Sequence, residues 1–169
     1  MTATVIDAGD DLPLTVPALL AERAATRRDH PLLVCDEDVI TYAGAEEQSA
    51  ALAKGLLAAG VGKGSHVGVL HPNGSSFVVS WLAAARIGAV AVPLSTFSTS
   101  SELRTLLRNA DISLLLATLS YRARDYVADL GAAVPELAVA SAAPLLSTTA
   151  PALRIVRGIR GVDKLAVCL

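Results

Sequence analysis

Two groups of polar residues stand where a ligand site would form. His71 follows the apolar run His66–Leu70, and a dense cluster of hydroxyl residues, Ser95–Ser101, follows the apolar run Val90–Leu94. Both runs have the character of buried strands, and ligands of open α/β sheets bind at the carboxyl ends of the strands. The hydroxyl cluster is consistent with a loop that contacts a substrate, although helix capping by Thr99 is the simpler interpretation. For His71 the simpler interpretation is a partly solvated loop histidine.

A glycine-rich turn, Gly60–Gly64, contains a lysine and invites comparison with phosphate-binding loops. Such loops follow a strand and open a helix, so that the helix N–H groups face the phosphate. Here the order is reversed, because a helical pattern precedes the turn and a strand pattern follows it. Gly60 is therefore predicted to be the C′ residue of a helix. The sequence contains no G-x-x-x-x-G-K-[S/T] motif.

The histidines and cysteines do not form a metal or catalytic set. His66 and His71 are an odd number of residues apart in a strand, which places them on opposite faces, and His30 lies in a turn before a proline. Cys35 and Cys168 are far apart and belong to no C-x-x-C pair, and Cys35 is predicted to be a buried free thiol. There is no G-x-S-x-G elbow and no Ser/His/Asp arrangement. The sequence thus assigns no catalytic, cofactor-binding or metal-ligating residue.

Composition narrows the class of protein. Of 169 residues, 53% are hydrophobic and 18% are charged, which excludes a disordered chain. The formal net charge is −2, and no basic stripe is interleaved with aromatic residues, so nucleic-acid binding is not predicted. The segment Met1–Asp11 contains three aspartates and no lysine or arginine, unlike a secretory signal, and a cytoplasmic location is predicted.

Hydrophobic periodicity places helices and strands around these residues. Thr15 is the predicted N-cap of a first helix, which ends before Pro31. Residues 32–36 and 39–42 form a predicted hairpin around an acidic turn. Thr41 is the predicted cap of a second helix, which ends at the glycine-rich turn.

A long apolar stretch follows the first buried strand. Asn73 is the predicted N-cap of a third helix, in which apolar residues including Trp81 surround much of the axis. The stretch Phe77–Leu94 is about long enough to cross a bilayer. Gly88 and Pro93 interrupt it, however, so a buried helix followed by a buried strand is predicted instead of a membrane span.

The alternation of helix and strand then continues. Thr99 and Glu102 form a predicted capping box at the start of a fourth helix. The run Ile112–Thr118 is strand-like, and Ser120 is the predicted cap of a fifth helix closed by Gly131. Strands and helices with short connections predict an α/β layered fold with a parallel sheet and right-handed crossovers.

Four segments are predicted along the chain. They are a tail at 1–13, an α/β subdomain at 14–131, an Ala/Pro/Ser/Thr-rich loop at 132–153, and the start of a further segment at 154–169. The chain ends on the apolar residues Ala166–Leu169, which favours a domain interrupted before its end.

The order and spacing of several phrases are more specific than any single motif. The phrases are Thr41-Tyr42-Ala43, residues 55–64, residues 66–73, residues 86–94, Glu102-Leu103 and the run Ile112–Thr118. In this order they resemble the N-terminal subdomain of the adenylate-forming superfamily, which includes acyl- and aryl-CoA synthetases, and bacterial fatty-acid-type CoA ligases most of all. The resemblance covers about Leu14 to Leu119, and Pro151–Arg154 resembles the next familiar stretch weakly.

The resemblance implies a layered parallel-sheet subdomain, incomplete in this chain, and a full-length parent that joins a carboxylic acid to CoA. That parent would use ATP, Mg²⁺ and CoA, act on a carboxylic and specifically a fatty acid, and release AMP and pyrophosphate. The family's phosphate loop and its catalytic lysine lie beyond the matching segment, so no catalytic residue is carried over. The nearest hydroxyl run, Ser147–Thr149, lacks the glycines and the lysine. Gly44 and Ser76 stand where the family commonly has acidic residues.

Three interpretations of function remain open. The first is an inactive segment of an acyl-CoA synthetase that binds no cofactor by itself. The second is a non-catalytic module that docks on a complementary chain, or on itself, through an exposed sheet edge. The third is a free-standing flavodoxin-like ligand module.

Overall fold

The computed structural model describes residues 13, 15–138, 144–159 and 165–167. The predictions for most of the N-terminal tail and for Cys168 lie outside these residues. The described residues form five α-helices and nine strands. The helices are α1 Val16–Thr26, α2 Tyr42–Ala58, α3 Ser75–Arg86, α4 Ser100–Asn109 and α5 Tyr126–Ala133. The strands are β1 Pro31–Cys35, β2 Asp38–Thr41, β3 His66–Leu70, β4 Val90–Pro93, β5 Leu114–Thr118, β6 Ser120–Tyr121, β7 Arg124–Asp125, β8 Ile155–Ile159 and β9 Leu165–Val167.

The main sheet has five strands in the order β4-β3-β5-β8-β9. The strands β4, β3, β5 and β8 are parallel, and β9 is antiparallel to β8. The predicted α/β fold with a parallel sheet is thereby confirmed. The predicted hairpin before α2 is also confirmed, as β1 pairs with β2 in an antiparallel sheet of its own.

The central strands are buried on both faces, and helices cover each face. Leu114 and Leu116 of β5 pack with α2 and α3 in one core, whereas Leu115 and Ala117 pack with α4 and α5 in the other. The alternation follows from the two-residue period of a strand. A third core joins α1 and the β1–β2 hairpin to α2 and α3.

The glycine-rich turn closes α2 as predicted. Gly60 has φ +83, its N–H donates to Leu57 O at 3.0 Å, and the Val61 N–H donates to Leu56 O at 3.0 Å. This is a Schellman motif, with the buried Val61 and Leu56 side chains in one core. The carbonyl end of a helix repels anions, so this turn is not a phosphate-binding loop.

The start of α3 differs from the prediction, in which Asn73 is the N-cap. The N-cap residue is Gly74, which has no side chain to accept a hydrogen bond. Asp38 of the β1–β2 hairpin supplies the missing acceptor, because its Oδ2 accepts from the Ser75 N–H at 2.6 Å. A carboxylate at this position also suits the positive end of the helix dipole. The cap therefore ties the hairpin to α3.

The third helix is largely buried, as predicted, and Trp81 is its one exposed residue, at 39%. The prediction for the start of the fifth helix is corrected. The fifth helix does not begin at Ser120, because residues 120–125 form the small β6–β7 hairpin. Asp125 caps that helix, with its Oδ1 accepting from the N–H groups of Val127 and Ala128 at 2.9 and 3.1 Å.

The Ala/Pro/Ser/Thr-rich stretch after α5 is held in place by one carboxylate. Glu136 lies in a short 3-10 helix, Pro135–Ala138, and its Oε1 accepts from the N–H groups of Thr148 and Thr149 at 2.9 and 3.1 Å. Both threonine hydroxyls donate to the same oxygen, at 3.2 and 3.1 Å. This contact orders a segment that covers the core with three buried residues, Leu145, Ala150 and Leu153.

The tertiary cap of α3 yields a stability prediction. A Cβ at residue 74 would lie 2.7 Å from Asp38 Oδ2, and the backbone there has φ +152. We expect Gly74→Ala to lower the free energy of unfolding by about 1–3 kcal/mol, because both strain and the clash act on it. Asp38→Ala should cost about 0.5–2 kcal/mol through loss of the cap. The double variant should lose less than the sum, because removing the carboxylate removes the clash.

Urea denaturation measures these differences, and Gly62→Ala is the control. A Cβ at residue 62 meets nothing within 4 Å, so that variant should unfold near the wild-type midpoint. Strict additivity of the Gly74 and Asp38 effects would contradict a contact between the two positions.

The Glu136 contact yields a prediction on pH. The pKa of Glu136 is lowered from its ordinary value of 4.5 to about 2, first by its own backbone N–H and then, against the opposing effect of burial, by the N–H of Thr149 and the hydroxyls of Ser147 and Thr149. Because the folded-state pKa is depressed, the stabilisation is present above about pH 4.5 and is lost as the pH falls toward about 2.

The measurement is the free energy of unfolding between pH 5 and 3, in the wild type and in Glu136→Gln. The wild type should lose more stability over this interval, because the glutamine keeps an acceptor but has no proton to bind. Equal pH dependence in the two proteins would show that protonation of Glu136 does not change the free energy of unfolding.

Candidate functional site at the carboxyl edge of the sheet

The carboxyl ends of the parallel strands meet at one edge of the sheet. The loop at His71 follows β3, the loop at Ser95–Thr99 follows β4, and the β6–β7 hairpin follows β5. The chain leaves β3 toward β4 on one side, and leaves β5 toward β8 on the other. The point between β3 and β5 is thus a topological switch point, where open α/β sheets bind ligands.

His71 lies at this switch point and is buried, with 4% of its surface exposed. The prediction of a partly solvated loop histidine is therefore wrong. Its Nε2 is buried and has no hydrogen-bond partner among the described residues. Burial lowers the pKa of His71 to about 4, so its ring is neutral at pH 7 and can serve as a hydrogen-bonding group without charge.

The hydroxyl cluster after β4 is divided between capping and loop contacts. The Thr99 N–H and hydroxyl donate to Glu102 Oε2 at 2.7 and 3.0 Å, and the Glu102 N–H donates to Thr99 Oγ1 at 3.3 Å. The predicted capping box is thereby confirmed, and the backbone hydrogen bond from Thr99 is the main reason that the pKa of Glu102 is lowered. Ser95 Oγ accepts from the Phe97 N–H, and the Ser100 hydroxyl donates to Asp129.

One arginine fixes the conformation of this loop. Arg124 Nη1 donates to Thr96 O at 2.6 Å, its Nη2 donates to Ser98 O, and its Nε donates to Asp129 Oδ2 at 2.5 Å. The Tyr126 hydroxyl also donates to Thr96 O, at 2.9 Å, and the Arg124 guanidinium lies 5.0 Å from the centre of the Tyr126 ring. This set matches no local sequence motif and was not predicted, because its members are separated by 26–30 residues.

An open cleft of about 330 Å³ lies beside the fixed loop. Its lining residues are Thr96, Phe97, Tyr121, Arg122, Ala123, Arg124 and Tyr126. A second cleft, of about 320 Å³, is lined by Ser98, Ser101, Glu102, Thr105 and Leu106. In the second cleft the charged group, Glu102, is already engaged by the capping box.

The other candidate residues are used structurally or stand apart. His66 Nδ1 is 2.6 Å from Ala110 O, which links β3 to the end of α4. His30 is exposed, and Cys35 is only partly buried, with its Sγ 3.8 Å from Asn73 O, so the prediction of a buried thiol is wrong. Within the described ranges, no three His, Cys, Asp or Glu side chains are grouped so as to hold a metal ion.

The run Ser147–Thr149 is not an open phosphate cradle. The N–H groups of its threonines already donate to Glu136, and Ser147 Oγ accepts from the N–H groups of Thr149 and Ala150. No helix in the described part of the chain is both long and apolar enough to cross a membrane.

Comparison with known proteins identifies the family of this chain. The model of the AMP-binding enzyme family matches residues 20–158. The "Putative acyl-CoA synthetase YngI" of Bacillus subtilis (strain 168) is 34% identical over 142 residues, which are 83% of this chain and 26% of that protein. The "Medium/long-chain-fatty-acid--CoA/3-oxocholest-4-en-26-oate--CoA ligase" of Mycobacterium marinum is 32% identical over 96 residues, which are 57% of this chain and 18% of the ligase.

Solved structures show the same fold. The anthranilate CoA ligase AuaEII in complex with anthranoyl-AMP has a TM-score of 0.67 and 19% identity, over 86% of this chain and 25% of that one. The chain therefore spans about a quarter of the length of YngI and of AuaEII. The match over residues 20–158 nonetheless covers most of the chain, and the chain belongs to the AMP-binding enzyme family of adenylate-forming proteins.

Proposed function

We propose that this chain is the N-terminal α/β subdomain of an AMP-forming acyl-CoA synthetase and is inactive alone. The reaction of the full-length parent joins a carboxylic acid, ATP and CoA to give acyl-CoA, AMP and pyrophosphate. The family match over residues 20–158 carries this proposal. A fatty acid as substrate draws support from the printed name of the M. marinum ligase. A cytoplasmic location and the segment boundaries at 13, 131 and 153 belong to the same proposal.

The way the chain uses its hydrogen-bond donors supports the proposed inactivity. Adenylation requires donors and Mg²⁺ that stabilise the charge developing on a phosphate. A helix N-terminus is the usual source of such donors. In each of α1–α5, however, a side chain of the chain itself already accepts from one or two of the first N–H groups. The accepting residues are Thr15, Thr41, Asp38, Thr99 and Asp125.

The second donor-rich segment is also occupied. Four donors of Thr148 and Thr149 converge on the Glu136 carboxylate. A triphosphate would have to displace this anion, and the run Ser147–Thr149 contains no lysine to compensate. The chain thus supplies a scaffold for the family's chemistry, and ATP, Mg²⁺ and CoA belong to the full-length parent.

The test is acid-dependent pyrophosphate release by the purified chain, with ATP, Mg²⁺, CoA and a panel of fatty acids. We expect no release above the no-protein blank, with a full-length acyl-CoA synthetase as the positive control. We also expect calorimetry to detect no tight, Mg²⁺-dependent binding of ATP. Turnover, or tight Mg²⁺-dependent binding, would disprove inactivity.

A second candidate function is a non-catalytic module that docks on another chain. The observation in its favour is the edge of the sheet at β4, which pairs with β3 and with no other described strand. Val90 at the start of β4 is 45% exposed. An unpaired strand edge can pair with another chain, although Pro93 shortens the available edge because proline has no N–H to donate.

Size-exclusion chromatography with light scattering tests self-association of this edge. If β4 pairs between copies, the mass should approach that of a dimer, and Val90→Lys should return it to that of a monomer. Val127→Lys is the matched control, because Val127 is 52% exposed on α5. A monomeric wild type at high concentration would rule out self-docking, as would equal effects of the two lysine variants.

A further inference from the structure

The cleft beside the fixed loop has a lining that the proposed reaction does not use. Three of its seven lining residues are aromatic and two are arginines. Its volume of about 330 Å³ lies at the lower end of the range for small-molecule sites. It is formed by the loops after β4 and β5, at the edge of the sheet where α/β proteins bind ligands.

Two of the three aromatic residues of this cleft, Phe97 and Tyr121, are exposed. Phe97 has 85% of its surface exposed, which forgoes about 1.5–3 kcal/mol of burial free energy. The loop that carries it is nevertheless fixed, because Arg124 and Tyr126 together make three hydrogen bonds to the carbonyl groups of Thr96 and Ser98. With this backbone fixed, a ligand that packs against Phe97 has only the rotation of the Phe97 side chain to restrain.

The two arginines of the cleft differ in their partners. Arg124 is engaged by Asp129 and by loop carbonyl groups. Arg122 forms no ion pair with any described residue, and its guanidinium carbon lies 5.2 Å from the centre of the Tyr121 ring. It also has φ +55, because it is one of the two residues between β6 and β7, where a tight hairpin turn requires a positive φ.

A guanidinium stacked on a ring keeps its N–H edges available. Those edges match the oxygens of a carboxylate or a phosphate in a bidentate geometry. The aromatic side chains beside it offer faces on which a flat ring can stack. The cleft therefore combines a receptor for an anion with a receptor for a planar group.

We propose that this cleft binds an organic anion that carries a flat ring, with the ring against Phe97 and Tyr121 and the carboxylate or phosphate on Arg122. Binding requires no Mg²⁺ and does not depend on the proposed acyl-CoA synthetase activity. The chemistry is shared by aromatic carboxylates and nucleoside monophosphates, so the probes must include both.

The experiment is a titration of the ¹⁵N-labelled chain, without Mg²⁺, followed by amide chemical shifts. The probes are benzoate and 5′-UMP, with uridine as the ring without the anion and inorganic phosphate as the anion without the ring. We expect saturable shifts at residues 96–97 and 121–126 with benzoate, 5′-UMP or both. Uridine and phosphate should each bind at least about tenfold more weakly, since each lacks one of the two contacts.

Variants assign the contacts. Arg122→Gln should weaken binding of the anionic probe about tenfold, the effect of losing one charge-assisted contact. Arg108→Gln, an exposed arginine at the end of α4, should leave it unchanged. Phe97→Ser should also weaken binding, whereas Leu146→Ser, at a side chain that is 79% exposed elsewhere, should not. The amide spectrum of each variant reports directly whether it is folded.

Several outcomes would overturn the proposal. One is that neither benzoate nor 5′-UMP gives saturable shifts. Another is that the saturable shifts map to a different surface. Equal affinity for 5′-UMP and uridine would remove the role of the anion. Equal losses of affinity in Arg122→Gln and Arg108→Gln would show that the anion is held by general electrostatic attraction and not by Arg122.

Discussion

The fold depends on a parallel sheet whose central strands must be covered on both faces. Parallel strands that are buried on both faces consist of almost continuous apolar residues, as in Leu114–Ala117 of β5. Gly68 of β3 shows how closely the layers approach, since a Cβ there would lie 2.8 Å from Leu115 Cδ1 and 3.0 Å from Ile112 Cγ2. Right-handed crossovers then require α3 on one face and α4 and α5 on the other, because the chain changes direction between β4 and β5. The site at the carboxyl edge is a consequence of this arrangement.

Local signals in the sequence were sufficient for elements that are stabilised locally. The Thr99–Glu102 capping box and the Schellman turn at Gly60 each lie within one helical turn, and both were predicted correctly. The parallel sheet was also predictable, because apolar runs alternate with helical periods. Sequence reasoning could not predict features that depend on residues far apart in the chain. The Asp38 cap of α3 spans 37 residues, and Arg124 reaches back 26–28 residues to the loop after β4.

The errors about individual side chains have the same physical origin. His71 has the sequence signature of a loop residue, and no pattern in the residues around it indicates that its side chain is buried. Cys35 was expected to be buried because its neighbours are apolar, yet the β1–β2 hairpin lies outside the main sheet and leaves its side chain partly exposed. The candidate cleft was not predictable for the same reason, because it requires the loop after β4 to lie beside the hairpin after β5.

The carboxylates connect stability to function in this chain. Asp38, Glu102, Asp125 and Glu136 each accept from backbone N–H groups that could otherwise bind an external anion. These internal contacts fix loops and helix ends, and they engage the N–H groups within the chain. On the proposed function, any phosphate stabilisation in a full-length parent would then have to come from residues outside this subdomain. Arg122 departs from this pattern, because it is the cation of the carboxyl-edge cleft that no carboxylate of the described residues engages. The position of Arg122 beside the cleft leaves room for an anion from outside the chain.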